Sequence, residues 1–104
     1  KGFRLVGSSE GVKPKVILDD WWRIAEGSYI TALEFENIEF SHTSNNKYFM
    51  NADKSFTIES VSFVNCDFIG LTRGFWRHQQ ATSKHIMSFA VEGCRFDKCG
   101  WQTV

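Results

Sequence analysis

The chain has 104 residues, 42% of them hydrophobic, with ten Phe and four Trp, and its twelve basic and twelve acidic side chains cancel. That is the length of one domain or a piece of one, and it holds enough apolar material for a core, which excludes a disordered tail. Charge is balanced along the chain and no basic stripe forms, so nucleic acid is not an expected partner. No run of roughly 18 apolar residues exists to span a bilayer as a helix.

Residues 1–28 are the least regular part. Phe3–Val6 and Val16–Leu18 read as short strands around a polar, glycine-containing loop, and Pro14 suits a strand edge or first residue. Asp19 and Asp20 before WWRIAE could open a helical turn with an Asp as N-cap, ended by Gly27 and Ser28. Trp21 and Trp22 are expected to cover one side of the first coil, and a sugar-stacking platform is the other reading.

From Tyr29 a repeat sets in. YITALEFENIEFSH (29–42), TIESVSFVNCDFIG (57–70) and HIMSFAVEGCRFDK (85–98) follow one another at a period of 28 residues without internal gaps. A fixed period in the range of 20–50 residues marks a solenoid. Within each copy two apolar pairs alternate as on a strand face, Leu33/Phe35 then Ile38/Phe40, with an odd step of three between them. In one flat strand that step would send the second pair to the opposite face. Because all three copies repeat it at Asn37, Asn65 or Gly93, the step predicts a left-handed corner between two strands. The links between copies each hold one more strand-like run, KYFMN (47–51) and FWRHQ (75–79), giving three strands per coil. The expected fold is therefore all-β: a right-handed parallel β-helix of about three 28-residue coils. Residues 1–28 form an irregular first coil, and 29–56, 57–84 and 85–104 the repeats. No capping segment follows Phe96, and no signal peptide or initiator Met opens the chain. The solenoid is thus expected to be incomplete at both ends, its remaining coils belonging to a longer chain.

Cys66 and Cys94 share a repeat position among aromatic residues and are expected, with Cys99, to be buried thiols rather than a disulfide or zinc site.

The order of strand, Asn corner, short strand, long loop and strand resembles the pectin-lyase-like superfamily of parallel β-helices. A narrower resemblance, carried by FRLVG with KPK, FENIEF, YFMN, SFTIESVSFVNC, LTRGFWRHQ and VEGCRFDKCG, is to an uncharacterised domain family. It occurs in secreted or surface proteins of gut bacteria that process glycans. The resemblance implies a secreted or surface location, a polysaccharide partner, and a substrate face on the sheet containing KYFMN and FWRHQ. Pairing at 28 residues matches Tyr48 with Trp76 and Met50 with His78 as the inward set. It leaves Phe49, Arg77, Asn51 and Gln79 facing out. Arg73, in the preceding loop, could join Arg77 to clamp a carboxylate or sulfate. Alternatively these arginines tie down loops through carbonyls and acids such as Asp67.

The expected site is thus Arg73, Arg77, Gln79 and Asn51, in a non-catalytic glycan-binding module that needs no cofactor or metal. A calcium-independent uronate lyase is the enzyme alternative, with Arg77, His78 or Lys84 as base. Calcium would need several carboxylates, and a hydrolase a carboxylate pair. Asp53 has no acidic counterpart, since Ala81 stands at its repeat position. A structural spacer is the third reading. His42 and His85 are expected at solvated turns, and Glu39/Asp67/Arg95 as a solvated ladder.

Overall fold

The computed structural model describes residues 2–20, 22–43, 48–52, 54–78 and 84–100. Among them there is no helix, hence none long and apolar enough to cross a membrane. Thirteen short strands, all paired in parallel, stack as a β-solenoid of about three turns.

A full turn has four strands. Sheet A stacks β1 (Gly2–Val6), β4 (Ala32–Glu36), β8 (Val61–Val64) and β12 (Phe89–Glu92). Sheet B stacks β2 (Lys15–Leu18), β5 (Glu39–His42), β9 (Asp67–Ile69) and β13 (Arg95–Asp97). Sheet C holds β6 (Tyr48–Ala52) and β10 (Gly74–His78), and sheet D holds β3 (Ser28–Ile30), β7 (Phe56–Ile58) and β11 (Lys84–Ile86). Three strands per coil were expected. The fourth arises because a bend at Thr31, and again at Glu59–Ser60 and Met87–Ser88, divides the first strand of each repeat into one on sheet D and one on sheet A. These bends are bonded rung to rung, as in Glu59 N–H to Ile30 O (2.9 Å) and Leu33 N–H to Ser60 O (2.8 Å).

The corner between sheets A and B is the one the odd step predicts. Asn37, Asn65 and Gly93 have φ of 59°, 52° and 63°. An L-residue pays about 1–2 kcal/mol in this region, least for Asn because its short amide can bond locally. Here the amides bond along the axis: Asn65 Nδ2 donates to Asn37 Oδ1 (2.7 Å), and Asn37 Nδ2 to the carbonyl of Gly7 (3.3 Å). Gly7 is the corner of the first turn, where a Cβ would stand 2.2 Å from the Asn37 carbonyl oxygen and 2.5 Å from Pro14.

Inside, like residues stack at the interstrand spacing of ~4.8 Å. Phe35 lies on Phe63 at 5.2 Å and 12°, Phe40 on Phe68 at 5.4 Å and 13°, and Phe68 on Phe96 at 5.0 Å and 13°. The core is completed by Ile38, Ile58, Val61, Cys66, Leu71, Phe49, Phe75 and Trp76.

Residues 2–22 add a turn before the first repeat. Phe3 pairs with Leu33, Val16 with Phe40, and Trp22 bridges to Met50. The expected helical turn after Asp20 does not form. Trp22 N–H donates to Phe49 O (3.1 Å) and Asn51 N–H to Trp22 O (2.9 Å), so ladder bonds take the backbone groups that a helix would use. Trp22 packs against Phe35, Phe40 and Phe49, which covers the core as expected; Trp21 lies outside the described residues. The loop after Gly7 folds down the flank. Lys13 Nζ donates to Asp67 Oδ1 at 2.9 Å, two turns away.

Candidate functional site

Sheet C departs from the repeat. Sheets A, B and D hold a 28-residue offset between successive repeats, as in Leu33 with Val61 and Val61 with Phe89. In sheet C, Tyr48 pairs with Gly74, Met50 with Trp76 and Arg77 with Asn51, an offset of 26. The connection into β10 is two residues shorter than that into β6, and the connection out is two longer. The period therefore survives while the strand slides. This corrects the expected pairing of Tyr48 with Trp76 and Met50 with His78. It also changes which side chains are inside: Phe49 is wholly buried, stacked on Phe75 at 5.7 Å and 22°.

The slide assembles a cluster that pairing at 28 does not. Opposite Tyr48 stands Gly74, which has no side chain, so β10 presents its flanking arginines to the ring. Arg73 Cζ lies 5.4 Å and Arg77 Cζ 5.2 Å from the centroid of Tyr48. Such contacts contribute about 0.5–1 kcal/mol each at exposed sites. Tyr48 is 3% exposed, a fixed platform, while Arg73 is exposed and Arg77 half-buried.

The loop carrying Arg73 is held from three directions. Thr72 N–H donates to Gly70 O (3.0 Å) and Gly74 N–H to Leu71 O (3.1 Å), closing the turn. Leu71 is fully buried and anchors it. From the next turn Gly100 N–H reaches Leu71 O (2.8 Å), so close that a Cβ there would meet Thr72 O at 2.4 Å. Arg73 therefore projects from a rigid base.

Among the described residues no carboxylate pairs with Arg73 or Arg77. Asp67, the acid that could have tied them down, is 14% exposed and takes Lys13 and, at 3.7 Å, Arg95. That also corrects the solvated ladder expected of Glu39, Asp67 and Arg95. Two cations on one ring, neither paired with an acid among the described residues, can be bridged by an anionic group with more than one oxygen.

The other expected site residues are not all brought here. Asn51, expected to face out, is 2% exposed, its Oδ1 without a hydrogen-bond partner among the described residues. It is the register partner of Arg77, and the two-residue slide is what sets the two side by side on one face of the sheet. Gln79 and Asp53 lie outside the described residues. The backbone of His78 ends β10, whereas Lys84 opens β11 on sheet D, another side of the solenoid. Among the described residues no three His, Cys, Asp or Glu gather as a metal cluster.

Sequence reasoning placed Tyr48 among the buried residues, as it is, but missed the two arginines over its ring. The available signal was Gly74, which places a small residue opposite an aromatic one only if the strand slips by two.

No family model, curated protein or solved structure matches the chain. Fold and site rest on the ladders and on the geometry around Tyr48.

On sheet D, Tyr29, Thr57 and His85 form an outward column. His85 is exposed there, while His42 closes β5 half-buried rather than at a solvated turn. The Tyr29 hydroxyl donates to Glu59 Oε2, and this bond, ahead of desolvation and the Glu59 charge, raises the phenol above its ordinary value. All three thiols are free; Cys66 is buried and Cys94 and Cys99 half-buried. Burial pushes the thiols of Cys66 and Cys99 up, away from thiolate chemistry.

Proposed function

We propose that this β-solenoid is a non-catalytic module that holds an acidic polysaccharide on sheet C, through the guanidiniums of Arg73 and Arg77. One observation carries the reading: both cations sit on the ring of Tyr48, and no carboxylate among the described residues neutralises either. A uronate carboxylate or a sulfate ester presents paired oxygens to such donors. The resemblance to pectin-lyase-like β-helices and to a glycan-processing family supports the same ligand class. On that reading the protein works on the outside of a bacterial cell, secreted or at its surface.

Retention on immobilised polysaccharides tests it. Removing one guanidinium removes a charge-assisted contact of about 1.5 kcal/mol, roughly tenfold in affinity. Arg73→Ala and Arg77→Ala are each expected to weaken retention on uronate or sulfated polymers by that factor, with no change on neutral ones. Retention unaffected by the double substitution overturns the reading. Growth of unsaturated-uronate absorbance without added calcium would replace it with an elimination lyase.

A further inference from the structure

Sheet D carries a cavity of about 230 Å³ on its outer face. Its walls come from three successive turns: Ser28 and Tyr29 of β3, Ser55, Phe56 and Thr57 at β7, and His85 of β11. The register fixes their arrangement. Tyr29 pairs with Thr57 and Thr57 with His85, so the three side chains stand in one outward column. Two strand spacings of ~4.8 Å separate the phenol from the imidazole along that column. Thr57, between them, is too short to fill the gap.

The Tyr29 ring is held in place. Its hydroxyl donates to Glu59 Oε2 on the next turn, while the residue stays 55% exposed. A ring already fixed costs little further ordering when a ligand lies on it.

The lining decides the chemistry. Three hydroxyl-bearing side chains, Ser28, Ser55 and Thr57, share the cavity with the phenol and the imidazole. Serine and threonine each donate and accept, and a neutral imidazole does both through its two nitrogens. Among the described residues no carboxylate, ammonium or guanidinium lines the cavity, so nothing there pairs with an ion. Pockets for drug-sized ligands run to about 300–1,000 Å³, and this smaller one has room for a single ring.

We propose that this cavity is a subsite for one neutral pyranose ring. The sugar's C–H face lies on Tyr29, and its hydroxyls bond to Ser55, Thr57 and His85. A ligand with an apolar face and a polar rim matches side chains that have an apolar body and a polar tip. The subsite is distinct from the arginine pair on sheet C, and it takes a neutral sugar where that pair selects an acid. A small organic cation is the rival occupant of an aromatic face, but here no carboxylate lines the cavity to hold it.

The 104-residue chain, isotopically labelled, is titrated in turn with methyl β-D-glucopyranoside, methyl β-D-galactopyranoside and methyl α-D-mannopyranoside, and amide shifts are followed by NMR. At least one of the three is expected to give saturable shifts at Tyr29, Thr57 and His85. Tyr29→Ala, which removes the ring, and Thr57→Tyr, which fills the gap, should each weaken binding roughly tenfold. The Arg73→Ala/Arg77→Ala double substitution should leave it unchanged, so this subsite and the sheet C reading stand or fall separately. Five results overturn the proposal: no saturable shift with any of the three sugars, cyclohexanol binding as tightly as they do, saturation of the same amides by tetramethylammonium, undiminished binding by Thr57→Tyr, or loss of binding with the two arginines.

Discussion

At a single corner residue, backbone and side chain act together. Asn65 holds φ at 52° and donates to Asn37 Oδ1. Asn65→Ala removes the bond and adds the strain of a Cβ without a compensating amide. From about 1 kcal/mol for the bond and 1–2 kcal/mol for the conformation, a loss of about 2–3 kcal/mol is expected in denaturant melts. Asn65→Gly should lose only about 1 kcal/mol, since the glycine at the same position of the next turn, Gly93, already takes φ of 63°. A second residue-scale test is Tyr29. Its phenol is raised by Glu59, so the bond's contribution is complete below the unfolded phenol value near 10. It is lost as pH rises through the higher folded value. Titration of the Tyr29 ring by NMR should show a midpoint above 10 that falls toward 10 in Glu59→Gln.

At the scale of elements, the aromatic ladders dominate. Phe68 is fully buried and meets the rings of Phe40, Phe49, Phe63, Phe75 and Phe96 at 4.6–5.7 Å. Phe68→Ala should cost about 3–5 kcal/mol by loss of transfer energy and by the cavity left behind. Phe96, on the same ladder but 42% exposed, should cost less than half as much when truncated, as read from thermal unfolding. The ladders of sheets A, B and D were legible in the sequence because their 28-residue period is carried by side chains that only a core tolerates. Sheet C was not. Apolar residues sit on both sides of KYFMN and FWRHQ, so alternation cannot fix which pair lies inside. There the connection lengths decide the register, and the partners of Tyr48 and Met50 and the burial of Phe49 were misjudged for that reason. The fourth strand of each turn was hidden for a different cause. The bend at Thr31 carries the same odd step of three, from Ile30 to Leu33, but no Gly or Asn stands there to mark it.

At the scale of the whole molecule, stability runs along one axis. Each turn touches only its neighbours, so the strands with partners on both sides should open last. Amides of β8, between β4 and β12, are expected to exchange more slowly than those of β1, β12 or β13, as hydrogen-exchange NMR would show. The reverse order would mean that opening does not begin at the ends. Lys13 modifies this picture by tying the first turn to Asp67 two turns on, with only 25% and 14% of the two side chains exposed. Lys13→Met should speed exchange in β1 and β2 while leaving β8 unchanged.

The two-residue slide of β10 makes sheet C a cursor running beside three fixed rulers. From Phe40 to Tyr48 is eight steps, and from Phe68 to Gly74 six. Leaving the sheet, Ala52 to Phe56 is four and His78 to Lys84 six, so each turn closes on the same length. Shortening one connection and lengthening the other by equal amounts moves the guanidiniums relative to Tyr48 while leaving the stacked phenylalanines of sheets A and B in place. Descent with insertions and deletions can therefore retune this face without a substitution in the ladders of sheets A and B, and so can an engineer.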